Sequence, residues 1–444
     1  MRRSHRVNLA AVAGIAAVAM VAAACSSSGS SSTSPGSSNA LTASAPGITP
    51  TQILIGSHQP LTGVAAPGYD EIAPASNAYF DYVNAHGGIY GRKIKYTYLN
   101  DQYDPTMTST VVKQLVLQDN VYAIFNGLGT PTHLAVAPYL NSQKVPDVFV
   151  ASGCECWNST STWPQTFGRQ IDYVREGKIL GKYIEQHFKG KKIGYFYQND
   201  EFGQDGVKGL DYEIPHSQVV ARESYVPTNT NIGPQIAKLK ASGAQVVVSY
   251  SVPAFTALLR LGELTASYNP TLVVSSVGSD PITLAGLLNS FAKKSGSFGN
   301  SLTNGIITNG YLPPVGDMTN SWIALFEKIH SQYIPKLPFD GNVLYGMAVG
   351  YTFVQAMLKA GRNPTRQALV SAINSGLPQG ASVAPYAYSA SDHDGITGSY
   401  MGVIKNGVLV RQGDVLVTDN SPTGAVTPYM TAQPAAPASG VPSP

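Results

Sequence analysis

Along this chain the apolar positions switch repeatedly between two periods. Short continuous or alternating runs, read as strands, are followed by stripes that recur every three or four residues, read as helices. Residues 52–57 (QILIGS) form the first run. Ile72, Ala75, Tyr79, Phe80 and Val83 then share one helical face, which ends at Gly87-Gly88. Residues 93–99 (KIKYTYL) alternate as a strand. Asp104-Pro105 places an N-cap before a proline at the first helical position, and Met107, Val111 and Leu115 repeat behind it. Strands are predicted at 121–125 and 147–150. The series then restarts: a helix through Ile179, Tyr183 and Ile184, strands at 193–197 and 219–224, a helix through Ile232, Ile236 and Leu239, and the run 246–248. A helix from Pro253, a run at 272–274, a helix over 343–360 and strands at 400–404 and 408–410 follow. Continuous β-branched runs alternating with helices indicate parallel sheets covered on both faces. Two such series predict an α/β protein with two doubly wound parallel-sheet lobes.

Both ends depart from this pattern. Arg2, Arg3 and Arg6 precede an apolar run from Val7 to Ala24, so 1–24 reads as a signal peptide. The run stops at Ala22-Ala23-Ala24-Cys25, which resembles a bacterial lipobox with Ala22 where Leu or Val is preferred. Cys25 is then the lipidated residue. An uncleaved membrane anchor is the alternative. The Ser-rich stretch within 25–47 has nothing to bury and reads as a lipid-anchored tether. Residues 420–444 are rich in Pro, Ala, Thr and Ser, carry no charge, and are expected to be a disordered tail.

Composition narrows the function. The net charge is +3, and removing the three N-terminal arginines leaves 26 basic residues against 26 acidic ones. A neutral mature chain lacks the basic face that nucleic acid requires. The sequence contains no G-x-x-x-x-G-K-[ST] and no G-x-S-x-G. Gly127 to Thr132 (GLGTPT) lacks the third glycine of a dinucleotide fingerprint and reads as a tight strand-to-helix turn. The eight histidines never fall within four residues of one another, so no helix offers an H-x-x-x-H metal pair. Cys154 and Cys156 are half a metal site without a second half. In an exported protein they are either bridged or two free thiols. No enzyme, metal or cofactor is expected.

Several segments together resemble one family. They are PLTG (60–63), AYFDYVNAHGGIYGRKIKYTYLNDQYDP (78–105), NGLGTPTHLAVAPYLNSQKVP (126–146), FVASG (149–153), KIGYFYQNDEFGQDG (192–206) and SDHDGITGSY (391–400). The chain resembles the substrate-binding lipoproteins of branched-chain amino acid type ABC transporters, the Leu/Ile/Val-binding-protein-like members of the type I periplasmic binding proteins. The resemblance covers nearly all of 51–419. It implies three crossing segments, a ligand in the interlobe cleft, a first lobe of 51–168 plus 312–388, and a second of 169–311 plus 389–419.

The same resemblance transfers a site. Thr130 matches a hydroxyl that binds a ligand carboxylate, and Ser152 and Gly153 match the second donor loop. Phe202 falls where the family commonly has Tyr and would wall the cleft. Tyr250 and Ser251 match the next lining segment, although core packing explains Phe202 and Tyr250 equally well. The family holds a ligand ammonium with an acid at the position of Ser276, where this chain has none; the nearest is Asp280. A first-lobe disulfide of the family would fall at Tyr103 and Gly129, and neither is Cys. The implied function is an exported monomeric receptor, lipid-anchored on the outer face of the cytoplasmic membrane. It would capture an amino acid, amide or small carboxylate by hinge closure and deliver it to ABC transporter permease subunits. A sensory receptor module on the same fold, or a secreted α/β hydrolase, would be the alternatives.

Overall fold

The computed structural model describes residues 40–443. The signal peptide, Cys25 and the tether up to residue 39 lie outside them. In chain order the first part comprises β1 (Gln52–Gln59), α1 (Ile72–Ala85), β2 (Lys93–Asn100), α2 (Pro105–Leu117), β3 (Ile124–Phe125), α3 (Thr130–Leu134), α4 (Ala137–Ser142), β4 (Asp147–Val150) and β5 (Thr166–Gly168). The second comprises α5 (Tyr173–His187), β6 (Ile193–Gln198), α6 (Glu201–Glu213), β7 (Val219–Tyr225), α7 (Gly233–Ala241), β8 (Val246–Tyr250), α8 (Pro253–Thr265), β9 (Thr271–Val274), α9 (Pro281–Phe291), α10 (Phe298–Thr303) and β10 (Ile307–Gly310). Then follow α11 (Ser321–Tyr333), α12 (Gly341–Ala360), α13 (Arg366–Asn374), β11 (Gly398–Lys405), β12 (Val408–Val417) and β13 (Thr427–Pro428).

The strands build two sheets. The first has the order β2-β1-β3-β4-β5 and is parallel throughout. The second repeats that order as β7-β6-β8-β9-β10 and extends it with antiparallel β11, β12 and β13. The predicted fold class, two doubly wound lobes, is what the structure has. Helices α11 and α12 return to the first lobe, where α12 packs on α1. Val343 to Leu358 of α12 are buried nearly all round, as a central helix must be. Its Phe353 closes an aromatic core with Phe80 and Phe125, ring centres 5.2–5.8 Å apart. Full burial of each such ring contributes about 1.5–3 kcal/mol.

Local signals were read with small shifts. Asp104 caps α2 as predicted, accepting from the Thr106 and Met107 N–H groups. The buried face of α2 is Thr108, Val112, Leu115 and Val116, one residue away from the predicted Met107-Val111-Leu115 stripe. Met107 is exposed, because α2 packs on β1 through the other face.

The tail corrects the expectation of disorder for 420–444. β13 pairs with β12, and the chain then runs onto the first lobe. Trp322 Nε1 donates to Pro434 O at 2.7 Å, Tyr79 Oη to Gly440 O at 2.9 Å and Tyr82 Oη to Ser439 O at 2.8 Å. A chargeless Pro/Ala segment has little side chain to bury, but its carbonyls satisfy donors on the body. That contribution is invisible to composition.

Candidate functional site

In each sheet the strand order reverses beside the first strand, between β1 and β3 and between β6 and β8. Open α/β sheets present their ligand loops at such points, beyond the carboxyl ends of the strands. In the first lobe the loop after β3 is Asn126 to Gly129, and Thr130 opens α3. Gly129 has φ +103°, and a Cβ there would run into the Tyr103 ring, so only glycine makes this turn. In the second lobe the loop after β6 carries Asp200, which caps α6 through the Phe202 N–H.

These two ends face each other and are in contact. Tyr69 Oη donates to Val277 O at 2.8 Å, and Gln198 Nε2 to Tyr103 Oη at 3.2 Å. Glu155 N donates to Asp205, and Lys208 pairs with Glu155. At the α9–α12 junction the caps interlock. Asp280, the N-cap of α9, accepts from Thr283 N and from Gly341 N of α12, at 2.8 and 2.9 Å. Asp340, the N-cap of α12, accepts from Asn342 N and Val343 N, both at 2.9 Å, and from Thr283 Oγ1 of α9 at 3.3 Å. The two lobes touch at each of these points.

Two spaces remain in the cleft. A corner lined by Tyr103, Leu128, Thr130, Ala151, Tyr173 and Phe202 has a volume of about 30 Å³. Next to it lies a cavity of about 230 Å³. Tyr69, Ile72, Gln170 and Val277 border both. The larger cavity continues between Ser276–Ile282, Asn309–Gly316 and Asp340–Tyr345.

The pattern that defines the periplasmic binding proteins matches residues 52–408. The chain belongs to the periplasmic binding protein family. Among its relatives, the Leu/Ile/Val-binding protein homolog 8 of Brucella suis is 23% identical over 363 residues, 79% of this chain and 86% of that protein. An amino acid binding protein of Pseudomonas aeruginosa is 26% identical over 207 residues, 44% of this chain; the match spans about half, 52%, of that relative's length. Among solved structures, a branched chain amino acid ABC transporter from Thermus thermophilus with bound valine aligns with a TM-score of 0.70 at 17% identity, covering 83% of this chain and 97% of that one. A fatty acid ABC transporter substrate-binding protein from Thermomonospora curvata aligns at 0.71 and 21% identity, covering 86% and 96%. At these identities the structural likeness shows the fold. Family membership implies an extracytoplasmic location.

The residues proposed from sequence divide into three groups in this binding protein. Thr130 and Phe202 line the corner, and Ser276 and Asp280 line the larger cavity. Ser152 lies behind the corner wall: its hydroxyl is 2.7 Å from Thr130 Oγ1, and it accepts from Cys154 N. Gly153, Tyr250 and Ser251 are off the wall. Gly153 O accepts from Tyr173 N at 2.7 Å. Tyr250 is fully buried against Phe202 and Gly206. Ser251 Oγ bonds Ser249 and Thr256. Close packing of Gly206 of α6 on Tyr250 turned that ring inward, and nothing in the motif foretold it. Asp280 is not a free acid either, since each of its oxygens takes a backbone N–H. Cys154 and Cys156 are bonded, with Cα atoms 5.1 Å apart.

Sequence reasoning missed the tyrosines. Tyr69, Tyr103, Tyr173, Tyr311 and Tyr345 line the two spaces; the only signal was the high count, 25 tyrosines. It also missed three buried polar groups. Glu176 of α5 is fully buried; its Oε1 accepts from Ser276 N (2.9 Å) and Ser276 Oγ (2.6 Å), and its Oε2 has no partner. Burial raises its pKa, and the Ser276 bonds oppose this. Arg169 is fully buried with its guanidinium 5.1 Å from the Tyr386 ring and 5.9 Å from the Tyr345 ring. Beneath the Thr130 turn runs a buried chain: Asp101 to His58 (2.7 Å), His58 to His133 (2.8 Å) and His133 to Asp147 (2.7 Å). A Cβ on Gly127 would strike both imidazoles. Among the described residues no three His, Cys, Asp or Glu side chains form a group able to hold a metal.

Proposed function

We propose that this periplasmic binding protein is the extracytoplasmic, lipid-anchored receptor of an ABC importer. It closes its two lobes around a small ligand and hands it to membrane permease subunits, without chemistry of its own. The observation that carries this reading is the cavity between the lobes, bridged by contacts from one lobe to the other: Tyr69–Val277, Gln198–Tyr103 and the interlocked caps of α9 and α12. Opening breaks each of these, so a ligand that fills the cavity favours closure by its differential affinity for that state. Relatives named for binding Leu/Ile/Val and other amino acids support a small organic ligand.

The test is a thermal-shift panel of amino acids, amides, amines and small carboxylates, followed by small-angle scattering on any hit. A true ligand raises the melting temperature, because it stabilises the native state by RT ln(1 + [L]/Kd), and it contracts the particle. A hit that leaves the scattering profile open at saturation would remove hinge capture. Mass spectrometry of the mature N-terminus tests lipidation at Cys25, and Cys25→Ser should abolish it.

A further inference from the structure

We infer that the ligand body occupies the cavity bounded by Tyr69, Val277, Tyr311 and Tyr345, and that this ligand is an organic amine or ammonium with an apolar body. The inference rests on the capture reading and names the ligand class for the same cleft.

Size comes first. The Thr130 corner is the smaller space, about 30 Å³, and the Thr130 and Ser152 hydroxyls there bond each other. The neighbouring cavity offers about 230 Å³. Its walls are mainly apolar and aromatic, as a site for an apolar body requires.

The polar atoms of the cavity are then counted by kind. Its ionisable lining, tyrosines aside, is Asp280 and Asp340, one from each lobe. Among the described residues no Lys, Arg or His side chain lines it. The positive ends of α9 and α12 are not free to receive an anion, because these two carboxylates already cap them. Asn309 also lines the cavity; it is 1% exposed, and its Oδ1 has no hydrogen-bond partner. One layer behind it and Ser276, the Oε2 of Glu176 is likewise buried and unpartnered. A buried acceptor without a donor is costly; the unmet atoms at this wall and directly behind it, Asn309 Oδ1 and Glu176 Oε2, are acceptors, while the unmet donors nearby, the Arg169 guanidinium and the Tyr250 hydroxyl, lie off the wall. The group that suits them is a donor, and beside two carboxylates a cationic one. Tyrosine faces attract the same charge.

The electrostatics agree. Burial, then the neighbouring Asp340 carboxylate, hold Glu71 above the usual carboxylate range. Burial and Asp280 do the same to Asp340. Glu71, Asp280 and Asp340 thus crowd one another, and a bound cation would relieve the crowding. Arg169 does not reverse the preference. Its guanidinium is packed against the Tyr345 and Tyr386 rings and is not part of the wall.

The experiment compares matched probes by thermal shift and calorimetry: isopentylamine and phenethylamine, their carboxylate counterparts isovalerate and 3-phenylpropionate, and the zwitterions leucine and phenylalanine. The amines should bind and the carboxylates should not. Asp280→Asn combined with Asp340→Asn keeps capping side chains and should weaken amine binding about tenfold or more, the scale of a hydrogen bond to a charged group. If that variant fails to fold, Ile282→Trp at the 44%-exposed rim of the cavity should narrow the mouth and weaken the same amine. Carboxylate binding without amine binding overturns the inference, as does amine binding that survives the substitutions. Leucine binding that is lost in Thr130→Ala and kept in the Asp variants would leave capture standing and refute the amine. Silence in all three classes refutes both.

Discussion

Helices α5 and α6 cross at a seam of glycines: Gly177 and Gly181 on one, Gly206 and Gly209 on the other. Gly177→Ala sets two effects against each other there. In an isolated helix the change stabilises by about 1 kcal/mol, because glycine has the larger backbone entropy to lose. In this fold the added Cβ would come closer than 3.0 Å to Gly206 O, Gly209 Cα and Leu210 N. All three are backbone atoms, so no rotamer can yield and the helices must part by several tenths of an ångström. Overpacking of this kind costs about 1–3 kcal/mol, and it opens gaps along a seam that buries Leu180 and Leu210. The packing term exceeds the propensity gain, and the expected net loss is about 1–2 kcal/mol. Urea denaturation of wild type and variant at one pH, with the m-value checked for constancy, reads this directly. Because α6 also carries Phe202 of the cleft corner, ligand affinity should fall with it. A Gly177→Ala protein that is as stable as wild type, or more so, would refute the argument, since propensity alone predicts that result.

Three further outcomes follow from the structure. His133→Phe breaks the buried Asp101-His58-His133-Asp147 chain and leaves His58 Nε2 and one side of Asp147 unmet, so about 3–5 kcal/mol should be lost; His133→Gln, with one donor and one acceptor, should recover part of it in the same denaturation assay. The raised pKa values of Glu71 and Asp340 mean that the folded state holds protons which the unfolded state releases. Stability should therefore fall as pH rises from the ordinary carboxylate value of 3.8 towards about 7 for Asp340, and Asp340→Asn should flatten that slope in a series of melts. Truncation after residue 426 strips the acceptors of Trp322, Tyr79 and Tyr82; at about 0.5–1.5 kcal/mol per bond it should cost about 2–4 kcal/mol, and an unchanged melting temperature would show that the tail contributes nothing.

The legible part of the fold was its periodicity. The β-branched run at β8 had to be a buried strand, and Asp104-Pro105 had to start a helix, because both signals act over a few neighbours. The two series predicted the two lobes for the same reason. The α2 stripe was misread by one position, since an apolar repeat of Met107, Val111 and Leu115 competes with an alternative set containing Thr108, and only packing against β1 chooses between them. The site was legible where it is local: Thr130 opens a helix after a glycine turn, and Phe202 follows an N-cap.

What the sequence determined alone is therefore the alternation of elements, their caps and turns, and the family pattern through 52–408. The tertiary structure decided which side chains meet. Asp280 and Asp340 are 60 positions apart and share a junction because two helix N-termini from different lobes converge there. Glu176 reaches Ser276 across 100 residues, and His58 reaches His133 across 75. Tyr250 lost its expected place on the cleft wall because the bare backbone of Gly206 lets its ring pack inward. Each of these contacts depends on distance in space and on the close fit of packed interiors, and neither is encoded in the spacing of residues along the chain.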